Sequence, residues 1–325
     1  MTNRTKQFEA CSLAGLAVLT VLLISAASLS GQVAGPNRPL QVPDAFVITP
    51  FGYFHPSCVL RLEEAETLLA DGRVEHADGI VDASAPLCNY PHYTATGLLI
   101  TADTKGASAI DPNVNGWLEY VSATTATSYG KISATWPVPP PPTANDGQTL
   151  FFFPGFEDIN DVISIVQPVL QFGNSAAGGA NYWAVASWNC CMSGTAWYSP
   201  LLKVSTGDTI LGTIIPTCKP GQDYCATWNV VSEDKTTGKK TTLAKTAAEG
   251  QVWNWGFGAV VEVYGVRQCS DYPANTSLVF KVHLYDQNRK VIANPGWVGS
   301  PAGSGISPKC NYGLNVTAIK ETLDY

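Results

Sequence analysis

The sequence predicts an all-β protein: a two-sheet antiparallel β-sandwich behind a leader and a short N-terminal segment. Three observations predict it. From Asn115 onward, runs that alternate apolar with polar are separated by turn residues, as half-buried strands are. Gly (29) and Pro (22) are plentiful and 10% of residues are aromatic, which suits β-sandwiches and not helical bundles. Charged residues make up only 14%, against about 25% in an average soluble domain. The net charge of −7 over 325 residues leaves nothing to neutralise phosphates, so nucleic-acid binding is excluded.

The elements follow in order. Arg4 and Lys6 precede an apolar run from Leu13 to Leu29, and Ala26–Gly31 supplies small residues for cleavage. Residues 1–31 are therefore expected to be a signal peptide and the protein to be secreted. A run of that length is short for a spanning helix of about 20 residues, so no stable membrane association is expected after cleavage. Eight of the nine cysteines follow the leader, and an even set in an exported chain reads as disulfides. Cys218 and Cys225 bracket a turn-like segment and can close a hairpin. Cys190 and Cys191 are adjacent and better suited to separate partners.

Residues 32–110 form a prosegment or a small N-terminal domain. Prolines at 36, 39, 43, 50 and 56 keep its start extended. Arg61–Asp71 then predicts a helix, with Leu62, Ala65 and Leu69 on one face and Gly72 as its stop. The sandwich occupies 111–325. Its strands include GWLEYVSA, YGKISATWPV, Leu150–Phe153, Val162–Phe172, Tyr182–Trp188, Thr209–Pro216, Ala226–Val231, Val260–Val266 and Ser277–Tyr285. The apolar run into Phe153 is expected to break at Pro154-Gly155, ahead of an acidic turn holding Glu157, Asp158 and Asp161.

Candidate chemistry narrows by elimination. Only His283 lies in the β-rich part, in an alternating strand where it reads as a surface residue. No GxSxG, HExxH or phosphate loop appears, so serine, thiol and zinc hydrolysis are poorly supplied and no cofactor or metal is expected. Carboxylates and amides remain. Glu262 shares a strand face with Val260 and Tyr264, a costly place for a charge unless that face is wet or lines a cleft that raises the carboxyl's pKa. Gln171 shares a face with Val169. A carboxylate that takes a proton from water, beside an amide that stabilises an oxyanion, is a workable pair for peptide hydrolysis.

Seven segments, in order, resemble the eqolisin-type glutamic peptidases. They are Asn115-Gly-Trp-Leu-Glu-Tyr, Ile132–Pro139, Phe153-Pro-Gly-Phe-Glu, Val169-Leu-Gln-Phe-Gly, Trp183–Trp188, Leu201–Ile210 and Ala259-Val-Val-Glu-Val. The resemblance spans about residues 115–285. It implies a concanavalin- or lectin-like jelly roll and a secreted, acid-acting endopeptidase that works as a monomer on protein or peptide substrates. Gln171 and Glu262 would be catalytic, and Glu157, Asp158, Trp183 and Trp188 would line the cleft. The chain departs from the family at Phe153 and Ser187, where the family has Trp and Glu. The neprosin group, thought to use two glutamates, is the near alternative, and there Glu157 would partner Glu262. Two other classes fit the residues: a carbohydrate-binding sandwich without catalysis, and a glycoside hydrolase using Glu157 and Glu262.

Overall fold

Alternation decides which faces of this fold meet water. The computed structural model describes residues 38–100, 115–160, 164–190 and 194–325. The leader, Asp161, Cys191 and the 110/111 boundary lie outside the described residues. The N-terminal segment gives five short strands: β1 (Val47–Thr49), β2 (Gly52–Phe54), β3 (Val59–Arg61), β4 (Thr67–Leu68) and β5 (Val74–Glu75). The remainder gives β6 (Gly116–Thr124), β7 (Lys131–Pro137), β8 (Thr149–Glu157), β9 (Ile165–Ser175), β10 (Gly178–Cys190), β11 (Ala196–Tyr198), β12 (Leu202–Lys203), β13 (Thr209–Pro216), β14 (Thr227–Asp234), β15 (Lys239–Ala247), β16 (Trp255–Tyr264), β17 (Ser277–Tyr285), β18 (Val298–Ser300), β19 (Gly313–Val316) and β20 (Lys320–Asp324).

Two nine-stranded sheets stack as a sandwich. The front sheet runs β18-β6-β16-β8-β9-β10-β11-β3, with β12 beside β10, and the back sheet runs β19-β20-β17-β7-β13-β14-β15-β4-β5. Back-sheet strands such as β13, β14 and β17 alternate buried with more exposed positions, the signature of a sheet with one wet face. His283 sits on that outer face, as expected. Between the sheets, Phe152, Phe156, Leu170, Val185 and Val261 meet Trp136, Ile214, Trp228, Phe280 and Leu284.

The central front strands behave differently. Every residue of β8 is buried, and β9 and β16 are buried almost throughout, so this sheet is covered on both faces. The cover is the N-terminal segment. Val42, Phe46, Tyr53, Phe54, Cys58 and Val59 pack with Phe151, Phe153, Val169, Trp188, Val260 and Tyr264 into a second core. Residues 38–100 thus pack with the sandwich in one compact unit. The segment also joins both sheets at their edges. β3 pairs in parallel with β11, and β4 in parallel with β15. The other ladders between these strands are antiparallel, so the departure from an antiparallel sandwich lies where the N-terminal segment attaches.

Two local expectations are corrected. Arg61–Asp71 is not a helix: Arg61 ends β3, Thr67–Leu68 forms β4, and Ala65 between them takes a left-handed φ of 71°. The expected stripe of Leu62, Ala65 and Leu69 does not form one buried face: Leu62 lies in the inter-sheet core, Ala65 is exposed and Leu69 half-buried, and the sheet edges offer ladder partners that an isolated helix would forgo. The strand through Phe153 also does not break at Pro154-Gly155. β8 continues to Glu157, and the absence of an N–H at Pro154 is absorbed by an irregularity in its pairing with β16. Disulfides join Cys58–Cys88, Cys218–Cys225 and Cys269–Cys310, which includes the expected hairpin closure. Cys190 is disulfide-bonded as well.

Candidate functional site

Strand register places the candidate residues. Gln171 on β9 lies opposite Phe151 on β8, Phe151 opposite Glu262 on β16, and Glu262 opposite Trp117 on β6. Cross-strand partners share a face, so Gln171 and Glu262 share the outer face of the front sheet, with Phe151 between them. Two ladder spacings put their backbones about 10 Å apart, room for a small group between their side chains and too far for a direct bond. Glu157, at the end of β8, also lies on this face, opposite Ile165 and Trp255.

Glu262 is 1% exposed. Its Oε1 accepts the Tyr264 hydroxyl at 2.6 Å, and its Oε2 has no hydrogen-bond partner. Burial pushes its pKa up to about 8, against the smaller opposing pull of hydrogen bonds from Tyr264 and Trp117. The sequence offered two outcomes for this strand face, wet or cleft-lining; here it is dry, because the N-terminal segment covers it. Glu157 is 4% exposed, and its pKa is also raised to about 8, first by burial and then by the charge of Glu262. Glu157 thus feels the charge of Glu262 on the same face, whereas Glu262 is raised by burial.

Gln171 is held differently from the expectation. Its Nε2 donates to the carbonyls of Gly173 (2.9 Å) and Gly178 (2.7 Å), and its Oε1 accepts the Ser175 hydroxyl at 2.7 Å. Both amide hydrogens are committed to the β9–β10 turn, so in this structure neither is free for an oxyanion. The turn needs that lock because Gly173 and Gly178 take positive φ (88° and 93°). Asp158 is likewise structural. Its Oδ1 accepts Asn160 N–H and its Oδ2 accepts Val252 N–H, both at 2.9 Å. Trp183 is a correction: its ring packs on Phe152 and Phe172 in the inter-sheet core, on the face opposite Gln171. Trp188 does share the outer face, stacked on Tyr198 under the N-terminal cover.

Three site residues were missed. Tyr264 and Gln167 were legible: Tyr264 stands two positions from Glu262, and Gln167 two positions from Ile165 and Val169 and four from Gln171, all at same-face spacing. Gln167 is fully buried and donates from Nε2 to the Pro50 carbonyl at 2.6 Å. Tyr53 had no signal in the sequence; its ring meets Tyr264 edge-on at 5.4 Å only because the N-terminal segment folds back.

No family model matches the chain, and no curated protein matches it. Solved structures do. Scytalido-glutamic peptidase with a peptide-based transition-state analogue aligns at a TM-score of 0.46 and 12% identity, over 65% of this chain and 98% of that one. SCP-B, a member of the eqolisin family in a complex with the tripeptide Ala-Ile-His, gives 0.44 and 12% over the same shares. Aspergilloglutamic peptidase from Aspergillus niger gives 0.34 and 15%, over 55% of this chain and 98% of that one. The family that the sequence resembles is thus met again among solved structures. Likeness at this level does not bear on activity, which rests on the chemistry of the site.

Proposed function

We propose that this chain is a secreted, acid-acting glutamic endopeptidase whose working pair is Glu262 and Glu157. The observation that carries the reading is two buried carboxyls on one sheet face that the chain itself covers with extended peptide, Glu157 feeling the charge of Glu262. One carboxyl of such a pair ionises while the other keeps its proton. Glu262, as carboxylate, takes a proton from water as its oxygen attacks the scissile carbonyl. Glu157, as the acid, donates a hydrogen bond to the carbonyl oxygen as charge builds there. Glu262 then gives its proton to the leaving amine, the C–N bond breaks, and a carboxylic acid and an amine result. Gln171 is left out of this scheme because its amide is committed to the turn.

While the N-terminal segment is in place, burial holds both groups near 8. Once it leaves and water returns, both pKa values fall toward the ordinary carboxylate range, which is where an acid-acting enzyme needs them. The disulfides support export into an oxidising compartment. The test is digestion of a denatured protein at pH 3–5 by chain from which the segment has been removed. Cleavage should resist chelators and serine or cysteine reagents and vanish in a folded Glu262→Gln variant. Full activity in that variant overturns the proposal. Release of reducing sugar ends without peptide cleavage would select a glycoside hydrolase built on the same two carboxyls. Retention on glycans with no hydrolysis would select a binding sandwich.

A further inference from the structure

The β1–β2 hairpin is the part of the N-terminal segment seated deepest on the Glu262 face. Its tip is Pro50-Phe51, between the paired residues Thr49 and Gly52. Two hydrogen bonds hold its main chain there: the Ile48 carbonyl accepts Ala176 N–H at 2.8 Å, and the Pro50 carbonyl accepts Gln167 Nε2 at 2.6 Å. Beside them the Tyr53 ring meets Tyr264, which donates to Glu262. The two main-chain bonds do not read the hairpin's side chains; any extended peptide could make them. The Gln167 side chain is fully buried, its Nε2 bonds the hairpin, and among the described residues its Oε1 has no partner. A buried amide left half-satisfied costs stability, which is tolerable where the group serves a ligand.

We infer that the hairpin occupies the place of substrate, and that Gln167 is the donor that receives a main-chain carbonyl of an extended peptide bound there. The Pro50 carbonyl stands in for that substrate carbonyl. This rests on reading the covered face as the peptide-binding face, as proposed above. It gives the amide role to a different residue from Gln171, and makes it one of substrate positioning.

Two full-chain variants unseat the hairpin by different means. In Gly52→Val the new Cβ would fall about 2.1 Å from the Tyr93 carbonyl oxygen, at a φ of 127° that Val does not tolerate. Tyr53→Ser removes the ring that meets Tyr264. Both are made in a Glu262→Gln background so that nothing is cleaved. The probe is a fluorescein-labelled peptide of residues 47–54, read by anisotropy. The chain with its hairpin seated should not bind it, and both unseated chains should bind it saturably. Adding Gln167→Leu or Gln167→Glu should weaken that binding about tenfold, the effect of one buried hydrogen bond. No binding by either unseated chain, or equal binding with and without the Gln167 amide, overturns the inference. With Glu262 restored and the hairpin unseated, Gln167→Leu should raise KM about tenfold and change kcat less than about threefold. Gln167-dependent binding without any cleavage would sink the peptidase reading and leave this inference standing. Cleavage with KM indifferent to Gln167 would do the reverse.

Discussion

A carboxyl in the middle of a strand that is dry on both faces must be paired or protonated, and Glu262 takes the second course. Its one firm partner, the Tyr264 hydroxyl, is neutral, so burial decides its pKa. Glu157, on the same face, feels the charge of Glu262. Replacing Glu262 with Gln removes that repulsion, so the Glu157 pKa should fall in a carboxyl NMR titration; an unmoved value would show that the two carboxyls do not communicate. Gln171 illustrates how a residue type can be legible while its bonds are not. An amide on this face was legible from alternation, but its bonds to Gly173, Gly178 and Ser175 were set by a turn that the sequence does not display. Gln171→Leu should lower stability by about 1–3 kcal/mol in a denaturant titration, because it strips donors and acceptors from that turn. Loss of kcat with stability intact would return Gln171 to the oxyanion role.

The N-terminal segment, residues 38–100, is the element with the most to decide. The Cys58–Cys88 disulfide closes a loop within it, and His92 stacks on Phe54 of β2 at 4.8 Å. Burial lowers the His92 pKa to about 4 from an ordinary 6.5. The sign follows: the seated segment prefers neutral His92. That stability is full above about 6.5 and is lost as pH falls through about 4. Glu157 and Glu262, buried beneath the segment, pull the other way, so with both replaced by Gln hydrogen exchange should show protection of β1 and β2 dropping as pH falls from 6.5 to 4 while β13 and β14 stay protected. His92→Phe should hold the segment in place at pH 4, and an acid response unchanged in that variant would place the trigger elsewhere. The predicted helix at Arg61–Asp71 failed at this scale because two sheet edges, invisible to local periodicity, captured the chain as β3 and β4.

Across the whole molecule the buried carboxyls set the pH response of the fold. Besides Glu157 and Glu262, Glu119 and Glu321 lie inside the protein; burial raises the pKa of Glu119 to about 8 and that of Glu321 well above its usual range. Neither oxygen of Glu321 has a hydrogen-bond partner, and its carboxyl lies so close to Gly258 that a Cβ there would not fit. Folded-state pKa values above the unfolded ones, near 4.5, mean a stability contribution that is full below about pH 4.5. It is lost as pH rises through about 8. The melting temperature should thus fall between pH 5 and pH 9, and Glu321→Gln should flatten that fall. A melting temperature that rises over the same interval would contradict it. The sandwich core therefore tightens in acid, whereas its cover is pulled both ways, loosened by His92 and held by Glu157 and Glu262 beneath it.

The sequence by itself determined the β-sandwich, the hairpin disulfide and the presence of carboxyls and amides on front-sheet strands, because period-two alternation and turn residues are local signals. The tertiary structure alone decided that Glu262 is dry, that Trp183 faces the core, that Gln171 locks a turn and that Gln167 meets Pro50. Glu262 and Gln167 depend on a segment more than a hundred residues away in sequence, Trp183 on the side of its sheet where the second sheet packs, and Gln171 on the conformation of the neighbouring β9–β10 turn. No local pattern records any of these.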